Sequence, residues 1–335
     1  MLDSPPSWNF SHDSFVLRGF PELQRQRRLL ALPFLASYAS VLLGNSVLVH
    51  VIRGVERLHS PMYLLIGTLC VVDILVATAI VPNALLGLLF DWNHISLAGC
   101  LTQMFFTHFL SSVESTLLLA MALDRYVAIC QPLRYADIID SSMLVRLLLF
   151  TLIRSGSIMA ALVGLAGSLW FCDSNVIRHC YCDHMALVSL ACDDTQKNST
   201  AGLVVIVCFV GVDISLIILS YMKILSVVLR AAAAGEERWK AFHTCGTHLM
   251  VMMCFYLVGS VSFLSHNLHL HVPTEVNTFM GLVYILFPAT VNPVIYGVRT
   301  KEIRKGFKRI FKLREKKLTK TKVSPSAQSD VTCFQ

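Results

Sequence analysis

The chain has 335 residues, of which 55% are hydrophobic and 15% charged, with a formal net charge of +7 and a mean hydropathy of +0.63. Soluble globular proteins carry about 25% charged residues. This composition therefore excludes an ordinary soluble domain and predicts that lipid covers most of the surface. Apolar runs occupy the chain almost from end to end, which favours one polytopic membrane domain over two soluble domains.

The N-terminal segment 1–28 is polar and charged and does not show the pattern of a cleavable signal peptide. We therefore expect the first membrane span to act as the insertion signal. The sequence Asn9-Phe10-Ser11 is a glycosylation sequon, which predicts a glycan on Asn9 if this segment is extracellular.

Seven apolar runs follow, each long enough for a bilayer-spanning helix, which needs about 20 residues. They lie near 29–52, 62–90, 98–130, 143–170, 201–229, 240–265 and 275–297. The predicted fold is an all-α membrane protein whose domain 29–297 is a seven-transmembrane helix bundle. No internal repeat is apparent, which argues against a transporter built from inverted repeats.

The orientation follows from the basic residues, which concentrate on the cytoplasmic side of membrane proteins. With the N-terminus outside, the inner loops hold Arg53, Arg57, Arg134, Arg230, Arg238 and Lys240. The outer loops hold only Arg178 and Lys197. Four arginines before the first span oppose this rule, but the basic tail 298–335 outweighs them. We therefore predict an extracellular N-terminus and a cytoplasmic tail.

The tail begins with an amphipathic pattern. Ile303, Phe307, Ile310 and Phe311 recur at helical intervals among lysines and arginines. This pattern predicts a short eighth helix lying on an anionic membrane surface, and a merely solvated basic tail is the alternative.

Four motifs occupy set places in these spans. They are Gly44-Asn45 in the first, Asp73 in the second, Asp124-Arg125-Tyr126 at the end of the third, and Asn292-Pro293-Val294-Ile295-Tyr296 in the seventh. Their combination resembles that of the rhodopsin-like G-protein-coupled receptors. The resemblance implies that this chain is embedded in the lipid bilayer.

Further strings resemble the odorant-receptor family from about residue 20 to 311. They are Pro61-Met62-Tyr63, the segment 121–130, Ser220-Tyr221 and the segment 240–248, while 179–184 is similar to the class I (fish-like) branch in particular. His243 departs from the family, which usually has serine there.

This resemblance implies a receptor that binds a volatile odorant and activates a stimulatory heterotrimeric G protein, which raises cAMP. It also implies a place in the plasma membrane, in the cilia of sensory neurons. The residues expected to serve coupling and activation are Asp124, Arg125, Tyr126, Tyr221, Asn292, Pro293 and Tyr296.

Five of the eleven cysteines lie on the predicted outer side: Cys100, Cys172, Cys180, Cys182 and Cys192. The resemblance pairs Cys100 with Cys182 and Cys172 with Cys192, and leaves Cys180 unpaired. The spacing alone allows other connectivities, and a zinc site that includes His179 or His184 is a less favoured alternative.

Asp73 and Glu114 are carboxylates in the middle of predicted spans, where ionisable groups are costly and usually functional. The resemblance implies a structural sodium ion beside Asp73 and Glu114, with Asn45 and Asn292 completing an oxygen cage. A shared proton is the alternative, and we expect no other cofactor. Asp213 is a third such carboxylate, for which the sequence indicates no partner.

The ligand is expected between the outer halves of the third, fifth and sixth spans, under the second outer loop. The candidate contacts are Met104, His108, Ser111, Ser112, His184, Tyr256, Phe263 and Asn267. Many class I receptors carry an arginine where Asn267 stands. Without that cation a buried carboxylate would be unpaired, so we predict a neutral, oxygenated volatile.

The sequence disfavours three other functions. A receptor for a metabolite or peptide is disfavoured by the very short third inner loop, and a transporter or channel by the lack of repeats or broken helices. An enzyme is disfavoured because no nucleophile elbow, zinc-spaced histidine pair or phosphate-binding loop is present. No nucleic-acid partner is expected.

Overall fold

The computed structural model describes residues 11–172, 174–230, 245–253, 255–256 and 273–310. In this part of the chain six helices are long and apolar enough to cross a membrane. They are α1 (Arg27–Gly54), α2 (Pro61–Phe90), α3 (Leu97–Cys130), α4 (Ser141–Gly167), α5 (Gln196–Arg230) and α7 (Thr274–Arg299). Helix α6 is described over 245–253 and 255–256, and the rest of the predicted span 240–265 lies outside the described residues.

Local chemistry sets the beginnings of these helices. Pro61 opens α2, where a proline forfeits no hydrogen bond. At the start of α3 the Ser96 hydroxyl accepts a hydrogen bond from the Gly99 N–H at 3.1 Å. At the start of α4 the Asp140 carboxylate accepts one from the Met143 N–H at 2.7 Å. Each cap satisfies a backbone donor that would otherwise lack a partner.

Two helix ends differ from the predicted spans by three residues or more. The fourth span was predicted to continue to 170, but α4 ends at Gly167. Beyond it the Trp170 carbonyl accepts a hydrogen bond from the Cys192 N–H at 2.9 Å, so the backbone pairs with the following loop instead of continuing the helix. The fifth span was predicted to begin near 201, whereas α5 begins at Gln196, whose N–H donates to Asp194 at 2.9 Å.

Helix α3 is the centre of the bundle. In its most apolar window 72% of the residues are buried, compared with 28% in α4 and 17% in α5. The exposed apolar side chains of α4 and α5 suit contact with lipid. Helices α1 and α7 approach closely at Gly44, where an added Cβ would lie 2.9 Å from the Cγ of Pro293.

A small sheet covers the end of the bundle that carries the N-terminal segment, which we call the N-terminal face. Strand β1 (Ser14–Leu17) pairs antiparallel with β2 (His94–Ser96) and parallel with β3 (Val176–Ile177). Phe15 is fully buried and meets the ring edge of Phe171 at 5.3 Å. This sheet was not predicted from the sequence, and it joins the N-terminal segment to two loops.

The opposite end, the C-terminal face, carries helix α8 over 301–310. Ile303 is fully buried, while Lys301, Arg304, Lys305, Lys308 and Arg309 are exposed. A Cβ on Gly306 would lie 3.0 Å from Val51 and 3.3 Å from Leu58, so this helix packs tightly on the end of α1. The helix therefore has the predicted amphipathic character as far as residue 310.

Candidate functional site

The predicted ligand contacts on α3 have different surroundings. Met104 is fully buried in a cluster with Cys100 and Cys182, which is a packing position. The Ser112 hydroxyl donates to the carbonyl of Phe109 in its own helix at 2.7 Å. His108 and Ser111 are half-buried, and the His108 Nε2 has no hydrogen-bond partner among the described residues.

The remaining predicted contacts come from other elements. His184 is buried and opens the short loop helix His184–Val188. An added Cβ on Gly202 would lie 3.8 Å from its ring, so this histidine faces α5. Tyr256 lies on α6 and is described below. Phe263, Asn267 and the predicted glycan site Asn9 lie outside the described residues.

A polar network lies one helical turn below Ser111. The Ser115 hydroxyl contacts the Asp213 carboxylate at 2.8 Å, the Phe209 carbonyl at 3.1 Å and the Tyr256 hydroxyl at 2.9 Å. Ser115, Asp213 and Tyr256 belong to α3, α5 and α6, so one hydroxyl joins three helices. Tyr256 was predicted as a ligand contact, and its hydroxyl lies within this network.

Arg154 of α4 completes the network. Its guanidinium donates to the Cys208 carbonyl at 2.8 Å and lies 3.4 Å from the fully buried Asp213 carboxylate. It also lies 4.4 Å from the centre of the Phe209 ring, within the range of a cation–π interaction. Asp213, for which the sequence indicated no partner, therefore has both an arginine and a serine partner.

A π-helical turn explains why the network forms at this level. Residues Val207–Gly211 of α5 form one wide turn, and such turns displace backbone carbonyls from the regular helical ladder. The carbonyls of Cys208 and Phe209 accept their hydrogen bonds from Arg154 and Ser115. The turn thus provides acceptors for two neighbouring helices.

Sequence reasoning missed Arg154, although a signal was present. The residue stands in the middle of the predicted fourth span, and an arginine inside a membrane segment is by default a functional candidate. It also missed Tyr135, which contacts the Asp-Arg-Tyr motif on the C-terminal face.

Asp73 and Asn292, two of the polar residues predicted near the middle of the membrane, lie side by side. The Asn292 Nδ2 donates to the Asp73 Oδ2 at 3.0 Å. The Asn45 Nδ2 donates to the carbonyls of Val41 and Ala289, both at 3.0 Å. The second carboxylate oxygen of Asp73 and the amide oxygens of both asparagines are buried and have no donor among the described residues. Three acceptors without a donor suit a hard cation or a proton.

Glu114 is buried on α3 at 5% exposure. Two carboxylates in a low-dielectric region, such as Glu114 and Asp73, would repel each other if both were charged. In the described residues no cluster of three or more histidine, cysteine, aspartate or glutamate side chains could hold a metal ion. A cation here would therefore depend on amide oxygens as well as on carboxylates.

The Asp-Arg-Tyr motif lies at the C-terminal face. The Arg125 guanidinium is 2.7 Å from the buried Asp124 carboxylate. The Tyr135 hydroxyl, from the short helix Tyr135–Ile138 in the next loop, donates to the other Asp124 oxygen at 2.7 Å. Asp124 therefore has two partners, Arg125 and Tyr135. Tyr126, the third residue of the motif, is half-buried.

The other predicted coupling residues lie on α5 and α7. Tyr221 and Tyr296 are buried, and neither hydroxyl has a hydrogen-bond partner among the described residues. The Tyr296 ring is 5.7 Å from that of His248 in α6. Close by in sequence, the Arg299 Nε donates to the Thr247 hydroxyl at 3.0 Å, which joins α6 to the end of α7. Pro293 contacts α1 at Gly44.

Two disulfides organise the N-terminal face. Cys100 bonds to Cys182, with Cα atoms 5.3 Å apart, and Cys172 bonds to Cys192, with Cα atoms 5.9 Å apart. These are the two pairs that the family resemblance implied. Cys180 is a free, buried cysteine, and burial raises the pKa of its thiol well above the ordinary value.

The loop between these cysteines is held by polar contacts. The Cys182 N–H donates to the Gln103 side chain at 3.0 Å. The Asp183 carboxylate accepts from the backbone N–H groups of Met185 and Ala186, both at 3.1 Å. Burial raises the pKa of Asp183, but the charges of His179 and His108 and the Ala186 hydrogen bond lower it by more, so the net shift is downward. Burial lowers the pKa of His179 by more than the charge of Asp183 raises it.

Comparison with known proteins agrees with these features. The family model described as olfactory receptor matches residues 34–314. Olfactory receptor 52K2 of Homo sapiens is 39% identical over 298 residues, which cover 89% of this chain and 95% of the relative. Olfactory receptor 51E2 of Mus musculus is 40% identical over 307 residues, which cover 92% and 96%, respectively. The human olfactory receptor 51E2 is 39% identical over the same shares of the two chains.

The match runs through the whole bundle, from α1 to α8, and includes the spans that carry the polar network and the Asp-Arg-Tyr motif. A family of this kind consists of membrane receptors and not of enzymes. The chain belongs to the olfactory receptor family, whose fold is the seven-transmembrane bundle of rhodopsin-like G-protein-coupled receptors.

Proposed function

We propose that this receptor binds a small, neutral, oxygenated volatile between α3, α5 and α6, on the N-terminal-face half of the bundle. The observation that carries the proposal is the contact of one α3 residue, Ser115, with both Asp213 of α5 and Tyr256 of α6. Ser111 precedes Ser115 by four residues, or about 6 Å along the helix. A ligand at His108, Ser111 or Ser112 would thus lie directly above a junction of three helices.

The neutral character of the ligand is inferred from the charges available. Arg154 is the basic residue of the network below the proposed site, and it is already engaged by Asp213 and a backbone carbonyl. Asn267 supplies no charge. An ionised fatty acid would therefore be desolvated without a free cation to compensate, which costs several kcal/mol. Alcohols, ketones, lactones and esters need only hydrogen-bond donors.

For signal output we propose coupling to a stimulatory G protein at the C-terminal face, with cAMP as the product of the downstream response. Arg125 is paired with Asp124, and its release would make a guanidinium available to the G protein. Such a release requires Asp124 to keep a partner, and Tyr135 supplies one at 2.7 Å. Tyr126, Tyr221, Asn292, Pro293 and Tyr296 are proposed to rearrange in the same step.

The proposed orientation places the N-terminal face outside the cell, with a glycan on Asn9, and the receptor in the ciliary membrane of sensory neurons. Both disulfides lie on that face, and disulfides persist in oxidising compartments. Antibody staining of an N-terminal epitope tag in intact cells tests this orientation. Staining only after permeabilisation would reverse it.

Asp73 and Glu114 are proposed to share a sodium ion with Asn45 and Asn292, which would neutralise two buried carboxylates. The unsatisfied oxygens of Asn45, Asp73 and Asn292 support a cation at this place. Thermal unfolding of the purified receptor separates sodium from the alternative, a shared proton. A melting temperature that rises with sodium but not with choline, and does so only while Asp73 is intact, supports the ion. A melting temperature that depends on pH and ignores sodium supports the proton.

The function itself is tested by expressing the chain in cells and applying a panel of volatiles, with cAMP as the readout. We expect a concentration-dependent rise for at least one neutral oxygenated compound. A response confined to ionised acids would contradict the proposed ligand class. A ligand response with a fall in cAMP would contradict the proposed G protein.

A further inference from the structure

The hydrogen bond between Arg299 and Thr247 joins α7 to α6 on the C-terminal face. The Arg299 Nε donates to the Thr247 hydroxyl at 3.0 Å. Arg299 is the last residue of α7 and is half-buried, whereas Thr247 is buried. None of the ion pairs in the described part of the chain includes Arg299. A neutral hydroxyl is therefore the partner that this guanidinium has on α6.

The α7 side of this bond is fixed in position. Pro293 packs on α1, where an added Cβ on Gly44 would lie 2.9 Å from the Pro293 Cγ. Beyond Arg299 the chain enters α8, which also packs on α1: a Cβ on Gly306 would lie 3.0 Å from Val51. The chain is thus anchored on α1 both before and after Arg299. If either helix moves at this contact, α6 is the one that is free to do so.

A second contact between the same two helices is apolar in character. The rings of His248 and Tyr296 lie 5.7 Å apart and are tilted by 46°. Both side chains are buried, but neither the His248 Nδ1 nor the Tyr296 hydroxyl has a hydrogen-bond partner among the described residues. Ring packing tolerates sliding, whereas a hydrogen bond fixes both a distance and a direction. The Arg299–Thr247 bond is therefore the more specific of the two restraints on α6.

We propose that the Arg299–Thr247 hydrogen bond holds α6 against α7 in the resting receptor, and that activation breaks it. The signalling consequence rests on the G-protein coupling proposed above. A hydrogen bond to a charged group shifts an equilibrium between two arrangements by roughly ten- to hundred-fold. Such a bond keeps most receptors at rest, and a ligand that favours the other arrangement overcomes it. Arg299 and Thr247 are thus positioning residues, which act through the place of α6.

Cys245 is a native reporter of the position of α6. It is a free, buried cysteine that lies two residues before Thr247. Movement of α6 away from α7 exposes its thiol to a reagent in the aqueous phase. Cys70 of α2 is a free cysteine that is fully buried in the bundle, and it becomes reactive only when the receptor unfolds. The two thiols together separate a movement of α6 from general unfolding.

The first experiment measures alkylation of Cys245 by a charged maleimide in the full-length receptor, purified in lipid nanodiscs without odorant or G protein. Thr247→Val removes the hydroxyl but keeps the branched shape and every charge, so faster alkylation reports exposure of the thiol. We expect about tenfold faster alkylation of Cys245, the effect of losing one such hydrogen bond. Cys70 should stay unreactive. Thr247→Ser keeps the hydroxyl and should behave as the wild type does.

Variants of the arginine complete this experiment. Arg299→Ala should also speed the alkylation of Cys245, and the double variant Arg299→Ala/Thr247→Val should be no faster than either single variant, because both changes remove the same bond. Arg304→Ala is the matched control, since it removes the same charge from an exposed position on α8. It should leave the rate unchanged.

The second experiment measures cAMP in cells without agonist, at matched surface levels. Thr247→Val is expected to raise basal cAMP about threefold or more, because more receptors leave the resting arrangement. Thr247→Ser should stay at the wild-type level. A merely structural role for Thr247 would lower basal cAMP or leave it unchanged.

Three results of the alkylation experiment would overturn the proposal. They are equal rates in wild type and Thr247→Val, equally fast rates in Thr247→Ser and Thr247→Val, and faster alkylation of Cys70 together with Cys245. Faster alkylation of Cys245 alone, without a rise in basal cAMP, would support the bond as the restraint on α6. That result would instead contradict the proposed coupling to a stimulatory G protein.

Discussion

The hydroxyl of Ser115 on α3 lies 2.9 Å from the hydroxyl of Tyr256 on α6, and the same serine oxygen is 2.8 Å from the Asp213 carboxylate on α5. A serine hydroxyl has one proton, so it donates a hydrogen bond to one acceptor at a time. If Ser115 donates to Asp213, Tyr256 must donate to Ser115. A rotation of α6 that removes Tyr256 therefore changes the hydrogen bonding of all three helices.

Ser115→Ala is expected to shift the cAMP dose–response to about tenfold higher agonist concentration. The change removes a partner from both Asp213 and Tyr256, and leaving a buried polar group unsatisfied costs ~1–3 kcal/mol. The measurement is the agonist dose–response, normalised to receptor at the surface. Thr116→Val is the matched control, because the Thr116 hydroxyl donates to the Ser112 carbonyl of its own helix at 3.0 Å and, among the described residues, joins no second helix. Equal responses in the two variants would show that Ser115 does not link ligand binding to the cAMP response.

Arg154→Leu is expected to reduce surface expression strongly. It leaves the Asp213 carboxylate buried with its cation removed, and breaking a buried ion pair in this way costs ~3–5 kcal/mol. The double variant Arg154→Leu/Asp213→Leu should recover part of the loss, since no uncompensated charge remains. Flow cytometry of an epitope-tagged receptor measures both. Losses that simply add in the double variant would show that the two residues do not interact.

The contacts of this network could not be predicted from the sequence, although the spans that carry it could. The apolar runs and the motifs around Asp73, Arg125 and Asn292 predicted the spans and the family, because each is a local pattern. The partner of Asp213 comes from a different helix, and hydrophobic periodicity says nothing about which helices are neighbours. Arg154 stands in the middle of an apolar run, which indicates a buried acidic partner, but this was not predicted from the sequence.

The small sheet escaped prediction for a different reason. Its strands, β1, β2 and β3, are four, three and two residues long, which is too short for an alternating pattern to register. They also come from three segments far apart in sequence. The hydrogen bond from Tyr135 to Asp124 was missed because it depends on how a loop folds back on α3.

Cys100→Ser and Cys182→Ser are each expected to block delivery to the cell surface, because the disulfide pins the loop to the start of α3. The double variant should be no worse than either single variant, since both remove the same bond. Cys180→Ser is the control at a free cysteine of the same loop. Surface staining of intact cells gives the comparison. Clearly additive losses at Cys100 and Cys182 would mean that they are not partners in the cell.

Asn267→Arg is expected to shift the ligand preference toward acids. The residue lies outside the described part of the chain, and the expectation rests on the family resemblance and on the missing charge. A buried charge-assisted hydrogen bond is worth ~1.5–3 kcal/mol, or roughly ten- to hundred-fold in affinity. Paired dose–responses of an acid and its methyl ester on wild type and variant measure the shift. A wild type that already prefers the acid tenfold would defeat the proposal of a neutral ligand.

We propose that a volatile bound in the N-terminal-face half of the bundle acts on the G protein through Arg125, at the other end of α3. The most direct measurement compares wild type, Arg125→Ala and the exposed loop variant Arg134→Ala at matched surface levels, with cAMP as the readout for a volatile that activates the wild type. We predict a rise in cAMP for wild type and Arg134→Ala and none for Arg125→Ala, whose Asp124 still has Tyr135 as a partner. A normal agonist-driven rise in Arg125→Ala would contradict the account.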